Sequence, residues 1–337
     1  MNLTERLGMC VPVIQAPMAG TSTPALAAAV SGAGGLGCLG LGAMSVAQAA
    51  QAMAGTAALT DRAFGVNLFC HRPTPRDPGA EARWLDRLAP HFARFGADPP
   101  RILTDIYPSF IDNDAMLAAL VAARPALVSF HFGLPRADQI RALRATGAVL
   151  AATATCLAEA RAVRAAGLDA VVAQGWQAGG HRGVFDPAAD DERLATLDLV
   201  RQLAGLGLPV IAAGGIMDAA DTRAALAVGA VAVQCGTAFL LAPEAASPPA
   251  HRAALAGGET VMTAAISGRP ARCCANLFTA VPDDGTPGYP MTYDAGKALN
   301  AAAVAAGESG YGAHWAGTGC ARAIARPAAD TVAALAP

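Results

Sequence analysis

The feature that most constrains this chain is a repeated alternation. Short apolar runs with no polar rhythm recur between Ala-rich segments of helical period, as expected when parallel strands are covered on both faces by helices. The runs are 11–17 (VPVIQAP), 35–40 (GLGCLG), 64–69 (FGVNLF), 127–132 (LVSFHF), 148–153 (AVLAAT), 169–174 (DAVVAQ), 209–213 (PVIAA) and 230–235 (AVAVQC). Helices are predicted between them at 24–31, 45–57, 113–123, 136–145, 157–166, 193–204 and 218–228. Eight such units predict an α/β fold of the TIM (β/α)8-barrel type; an open doubly wound sheet is the structural alternative. Residues 1–241 are assigned to the barrel. Residues 70–111, rich in Pro, Arg and Asp, exceed an ordinary βα connection and are read as an insertion, either an active-site loop or a small excursion. Residues 242–337 carry Pro/Gly-rich turns and Ala-rich helices but no evident strand core. They are read as a C-terminal helical and loop extension that caps the barrel mouth and contributes to the substrate pocket.

Composition narrows the partners. The chain is 54% hydrophobic and 15% charged, with a net charge of −2 and no stripe of basic residues, which argues against nucleic acid or an anionic membrane and leaves small molecules. With no signal-like segment and no apolar stretch long enough to span a bilayer, a cytoplasmic enzyme is expected, as a monomer or homodimer. Cysteines stand at 10, 38, 70, 156, 235, 273, 274 and 320, without CxxC or Cys/His spacing, so neither a disulfide framework nor a metal site is expected. Lys297 is the single lysine beside 23 arginines, which marks either a place where guanidinium does not serve or a chance survival.

In a βα barrel the strand C-termini converge on one mouth, so unusual strand ends are candidate site residues. Gly214-Gly215 and Gln234-Cys235-Gly236-Thr237 end the seventh and eighth runs, where glycines and helix N-termini bring N–H groups to phosphate. A mononucleotide such as FMN fits that pattern. Asn67 and Gln174 end the third and sixth runs and offer amides to the imide edge of a flat heterocycle, or simply cap the strands. His181 follows Gly179-Gly180 in a loop at the same mouth, and a neutral imidazole suits proton abstraction near neutral pH. His131 is read as a substrate ligand or a core histidine. Tyr289, Tyr293 and Lys297 are spaced by four and share a face if a helix begins at Pro290, forming either a pocket for an anionic substrate or a surface stripe.

Taken together, QAPMAG, GGLGCLG, FGVNLF, SFHFG, AQGWQAGGHRG, PVIAAGGI, QCGTAF, SGRPAR and YPMTYDAGKAL resemble the nitronate monooxygenase family, formerly called 2-nitropropane dioxygenases, over about residues 11–300. The resemblance implies noncovalent FMN, no metal, and oxidation of alkyl nitronates, such as propionate 3-nitronate, by dioxygen to carbonyl compounds and nitrite. Whether neutral nitroalkanes are oxidised as well is left open. It implies FMN contacts at Ala16, Pro17, Met18, Asn67, Gln174, Gly179, Gly180, Gly214, Gly215, Gln234, Cys235, Gly236 and Thr237. His181 would deprotonate neutral nitroalkanes, and Tyr107, His131, Tyr289, Tyr293 and Lys297 would surround the substrate. Lys297 or a protonated His131 would hold its negative charge. One departure is Gln177, where the family often has an acidic residue; a missing charge there would alter the histidine or the substrate preference. The rival readings are a flavin-dependent enoyl-thioester reductase using NAD(P)H and a non-catalytic flavin- or phosphate-binding barrel.

Overall fold

Successive side chains of a strand point to opposite faces, so a strand covered on both sides must be apolar at every position. The computed structural model, which describes residues 2–337, shows what each face meets. In chain order the elements are α1 (Leu3–Arg6), β1 (Val13–Gln15), α2 (Pro24–Gly32), β2 (Gly37–Gly40), α3 (Val46–Leu59), β3 (Phe64–Phe69), α4 (Pro78–Ala93), α5 (Asp114–Ala123), β4 (Leu127–His131), α6 (Ala137–Ala145), β5 (Val149–Ala154), α7 (Leu157–Ala165), β6 (Ala170–Gln174), β7 (Gly180–His181), α8 (Thr196–Ala204), β8 (Val210–Ala213), α9 (Ala219–Ala227), β9 (Ala232–Cys235), α10 (Pro249–Ala254), β10 (Thr260–Thr263), β11 (Ala271–Cys274), α11 (Met291–Ala305) and α12 (Ala328–Leu335). Each of the eight apolar runs holds one barrel strand. The first is shorter than its run because Pro12 and Pro17 bracket it and proline cannot donate to a ladder.

The barrel strands are parallel, in the order β1-β9-β8-β6-β5-β4-β3-β2. The ring closes between β1 and the start of β2, where Gln15 N–H donates to Leu36 O and Leu36 N–H to Val13 O, both at 2.9 Å. Val13, Leu150, Ala152, Val171, Val210 and Ala212 pack outward into the layer shared with the helices. Their neighbours Ile14, Val149, Ala151, Val172, Ile211 and Ala213 fill the interior, where Leu3 and Leu7 of the α1 segment join them. This is the packed core of a TIM barrel rather than a pore.

Local sequence sets the helix starts. Thr23 accepts from Leu26 N–H at 3.0 Å with Pro24 at the first helical position, and Ser45 and Gln48 form a capping box. Gly37 lets α2 lie directly on β2, since a Cβ there would stand 2.0 Å from Ala27 O.

The insertion and the extension both carry elements beyond those predicted. The segment 70–111 contains the 16-residue helix α4, capped by Asp77 and led by Pro78. The extension supplies strands after all: β10 and β11 pair antiparallel, and β11 also pairs with β7, so Ala271 lies opposite His181. Trp84, Leu88 and Phe92 of α4 are buried with Ile266, Phe278, Met291, Ala295, Leu299 and Tyr311 in a second core. The helix α12 returns to the barrel, burying Ala328, Val332 and Leu335 in its outer layer. No helix among the described residues is long and apolar enough to cross a membrane.

Candidate active site

The strand C-termini and the α11 side of the extension enclose a cavity of about 640 Å³. Of the residues singled out in the sequence, Ala16, Pro17, Met18, Asn67, Tyr107, His131, Gln174, Gly179, Gly180, His181, Gly214, Gly215, Gln234, Cys235, Gly236, Thr237, Tyr293 and Lys297 line it. Tyr289 does not. It lies behind the wall, 3% exposed, with its ring edge-on to His71 at 5.0 Å and to His181 at 5.9 Å.

One end of the cavity is made of backbone. Gly214 and Gly215 have φ of 119° and 74°, left-handed values that glycine adopts without strain. The N–H groups of Gly215, Gly236 and Thr237 have no partner among the described residues. A third loop, not anticipated from the sequence, closes over them: Gly317 N–H donates to Thr237 Oγ1 at 2.9 Å, and Thr318 N–H to Gln177 O at 3.1 Å. The only signal for it was the Gly-Thr-Gly at 317–319. A Cβ on Gly179 would stand 2.4 Å from Ala316 C and Gly317 N, so the His181 loop and this third loop are in backbone contact. Unpartnered N–H groups around glycine turns fit the phosphate of a mononucleotide. The Cys235 thiol, raised by burial well above the usual range, stays protonated.

The His181 loop is held by its own strand ends. Gln174 Nε2 donates to His181 O at 2.9 Å, while Gln174 Oε1 accepts from Gly183 N–H at 2.8 Å. Gln174 therefore spends most of its amide on the loop, whereas Asn67 donates only to Ser129 Oγ, at 2.9 Å. His131 Nε2 also reaches His181 O, at 3.1 Å, and its Nδ1 lies 3.0 Å from Thr153 Oγ1. A carbonyl only accepts, so Nε2 of His131 carries the proton and Nδ1 accepts from the threonine. Burial lowers its pKa to about 4, against the opposing hydrogen bond to His181 O and with Arg269 lowering it further. Both ring nitrogens are engaged, so His131 fastens the His181 backbone, and its burial favours the uncharged ring over the protonated substrate ligand expected from the resemblance.

The His181 ring is half-buried among Phe132, Tyr289, Tyr293 and Trp315, with centroids 5.1–5.9 Å away. Its Nε2 lies 2.9 Å from Ser267 Oγ. Desolvation, then the nearby His131 and Arg269, push its pKa down to about 3. Arg269 is itself 4% exposed, with Nη1 donating to Val184 O at 2.8 Å and the guanidinium 4.3 Å from the Phe132 ring. Beside the histidine, α11 starts after Pro290 as expected, packs Tyr293 5.9 Å from the His181 ring and brings Tyr293 and Lys297 to the cavity wall. Lys297, exposed at the rim, donates from Nζ to Oη of the buried Tyr107 at 2.8 Å.

Gln177 faces elsewhere. Its Oε1 accepts from Thr196 N–H at 2.9 Å and lies 3.0 Å from Thr196 Oγ1, which also reaches Gly214 O at 2.8 Å. Gln177 therefore caps α8 and, through Thr196, braces the Gly214-Gly215 turn. Ser267, Arg269 and Trp315 were not singled out from the sequence, although SGRPAR had marked the segment of the first two.

A closed parallel barrel with glycine-lined N–H groups at one end of its mouth, and a neutral histidine and a lysine at the other, defines a TIM-barrel enzyme with a cofactor-sized site. The nitronate monooxygenase family model matches residues 2–336. A nitronate monooxygenase of Paraburkholderia phytofirmans is 57% identical over 99% of this chain and 93% of its own. The crystal structure of a nitroalkane oxidase from Streptomyces ansochromogenes superposes with a TM-score of 0.90 at 39% identity, covering 98% of this chain and 96% of that one. FabK from Thermotoga maritima follows at 0.73 and 27% identity, covering 99% and 94%. The chain belongs to the nitronate monooxygenase family and is an oxidoreductase.

Proposed function

We propose that this enzyme binds FMN noncovalently at the barrel mouth and uses dioxygen to oxidise alkyl nitronates to carbonyl compounds and nitrite, with nitroalkanes as a second substrate class. The observation that carries the reading is one cavity with free N–H groups of Gly215, Gly236 and Thr237 at one end and the His181 imidazole and Lys297 ammonium at the other. Those N–H groups would hold the phosphate, while Ala16 to Met18, Asn67 and Gln234 would border the ring system. Bound there, FMN supplies electron acceptance from the substrate and the route to dioxygen.

The protein's own residues supply the rest. Lys297, which pairs with no carboxylate among the described residues, attracts the anionic nitronate and holds it by a charge-assisted hydrogen bond. Tyr293, Trp315 and Phe132 exclude water around His181. A neutral nitroalkane must first lose a carbon-bound proton, and His181, uncharged at neutral pH, accepts it.

Two measurements test this. The purified protein should absorb near 450 nm and release the chromophore on denaturation; a colourless protein that takes up no FMN would defeat the reading. His181→Asn should lower nitroalkane kcat/KM by about 10²-fold or more while nitronate kcat/KM stays within a few-fold. The second reading is a flavin-dependent enoyl-thioester reductase. Rapid anaerobic bleaching of the flavin by NADH or NADPH would favour it.

A further inference from the structure

We infer that Ser267 is a positioning residue that holds His181 in the Nε2–H tautomer, so that Nδ1 carries the lone pair that accepts the substrate proton. The inference rests on the reading of His181 as a base and adds which nitrogen is basic and what makes it so. Ser267 is fully buried, with Oγ 2.9 Å from His181 Nε2 and 3.1 Å from Arg269 O. A hydroxyl has one proton to donate, and a carbonyl can only accept. If the Ser267 proton goes to Arg269 O, Nε2 must donate to Ser267 Oγ. The opposite assignment sends the serine proton to Nε2 and takes from Arg269 O, in a buried turn, the hydroxyl that serves it, which is the costlier arrangement.

The surrounding backbone keeps the pair in register. Gly268 has φ of 85°, and a Cβ on it would stand 2.4 Å from Gly288 C, so the Ser267-Gly268-Arg269 turn packs directly on the Gly288 backbone. The antiparallel pairing of His181 with Ala271, and the bond from Arg182 N–H to Pro270 O at 2.8 Å, tie the histidine strand to the same turn. The carbonyl of His181 is fixed from the other side by Gln174 and His131. The imidazole thus meets the substrate in one protonation pattern. In the transfer, the substrate C–H bond breaks, its electron pair enters the C=N bond of the nitronate, and the proton bonds to Nδ1. The imidazolium so formed keeps its Nε2–H bond to Ser267, now charge-assisted.

The test is ¹⁵N NMR of the holoenzyme labelled at histidine, with the His181 resonances assigned by their loss in His181→Asn. The expected wild-type result at pH 7 is a protonated Nε2 and a bare Nδ1. Ser267→Ala should shift His181 toward a mixture of tautomers and lower nitroalkane kcat/KM about tenfold, with nitronate kcat/KM within about twofold of wild type. Ser267→Thr, which keeps the hydroxyl, should restore both. A wild-type Nδ1–H signal would overturn the inference whether or not the variants fold. So would a Ser267→Ala protein with an unchanged tautomer, or one that loses nitronate and nitroalkane turnover equally. If the tautomer is as expected but His181→Asn still turns over nitroalkanes at the wild-type rate, the base reading fails and the catalytic consequence drawn here falls with it.

Discussion

Lys297 and His181 ask for different experiments because the proposed function gives them different tasks, holding the anionic substrate and accepting a proton. Lys297→Met removes a cation that meets the substrate before chemistry, so nitronate KM should rise about tenfold with kcat little changed. Because the ammonium sits at an exposed rim, that difference should shrink in high salt, as a KM series against ionic strength would show. For His181 the sign follows from its lowered pKa of about 3. The ring is neutral above that value and gains a proton only as pH falls through it. Nitroalkane kcat/KM, corrected for ionisation of the substrate, should therefore stay level as pH falls through 6.5, over the range in which the protein remains folded; an acidic limb near 6.5 would contradict this. Both residues were legible in the sequence because each is locally odd, a lone lysine and an imidazole after paired glycines. Ser267 was not, because its meaning depends on a turn that returns to His181 across 86 positions.

Among the elements, the barrel strands and their helices were readable because each carries its own period and its own cap. The α4 helix was hidden by the Pro, Arg and Asp content around it, although Asp77 and Pro78 mark its start and Trp84, Leu88 and Phe92 recur at intervals of four. Those side chains face a core made by the far end of the chain, so nothing nearby announced them. Trp84→Ala should destabilise the protein by about 3–5 kcal/mol, read as a lower denaturation midpoint. The β7–β10–β11 sheet escaped notice because its strands are two to four residues long and one lies in the His181 loop. The Gln177 cap of α8 yields a paired prediction. Gln177→Ala should cost about 0.5–2 kcal/mol of stability. Gln177→Glu, placing a negative charge at the helix N-terminus, should gain a few tenths to about 1 kcal/mol. Neither should alter the His181 tautomer or the nitroalkane pH profile.

For the molecule as a whole, burying imidazoles has an acid-side consequence. Burial lowers His71, His131 and His251 to about 4 and His181 to about 3. The unfolded chain binds these protons near pH 6.5, before the folded one does. Stability is thus full above about pH 6.5 and declines as pH falls toward 4, by about 1.4 kcal/mol per pH unit for each histidine inside that window. Thermal midpoints measured from pH 7.5 to 4.5 should show that slope. The second core has a consequence in time. Its α4 half is made early, whereas Ile266, Phe278, Met291 and Leu299 emerge well over a hundred residues later. On the ribosome the apolar stripe of Trp84, Leu88 and Phe92 waits for its partners, a period in which nascent chains invite aggregation or chaperone capture. The barrel strands are all complete by Cys235, so the mouth takes shape before its lid is synthesised, and a cofactor arriving in that interval meets an open door.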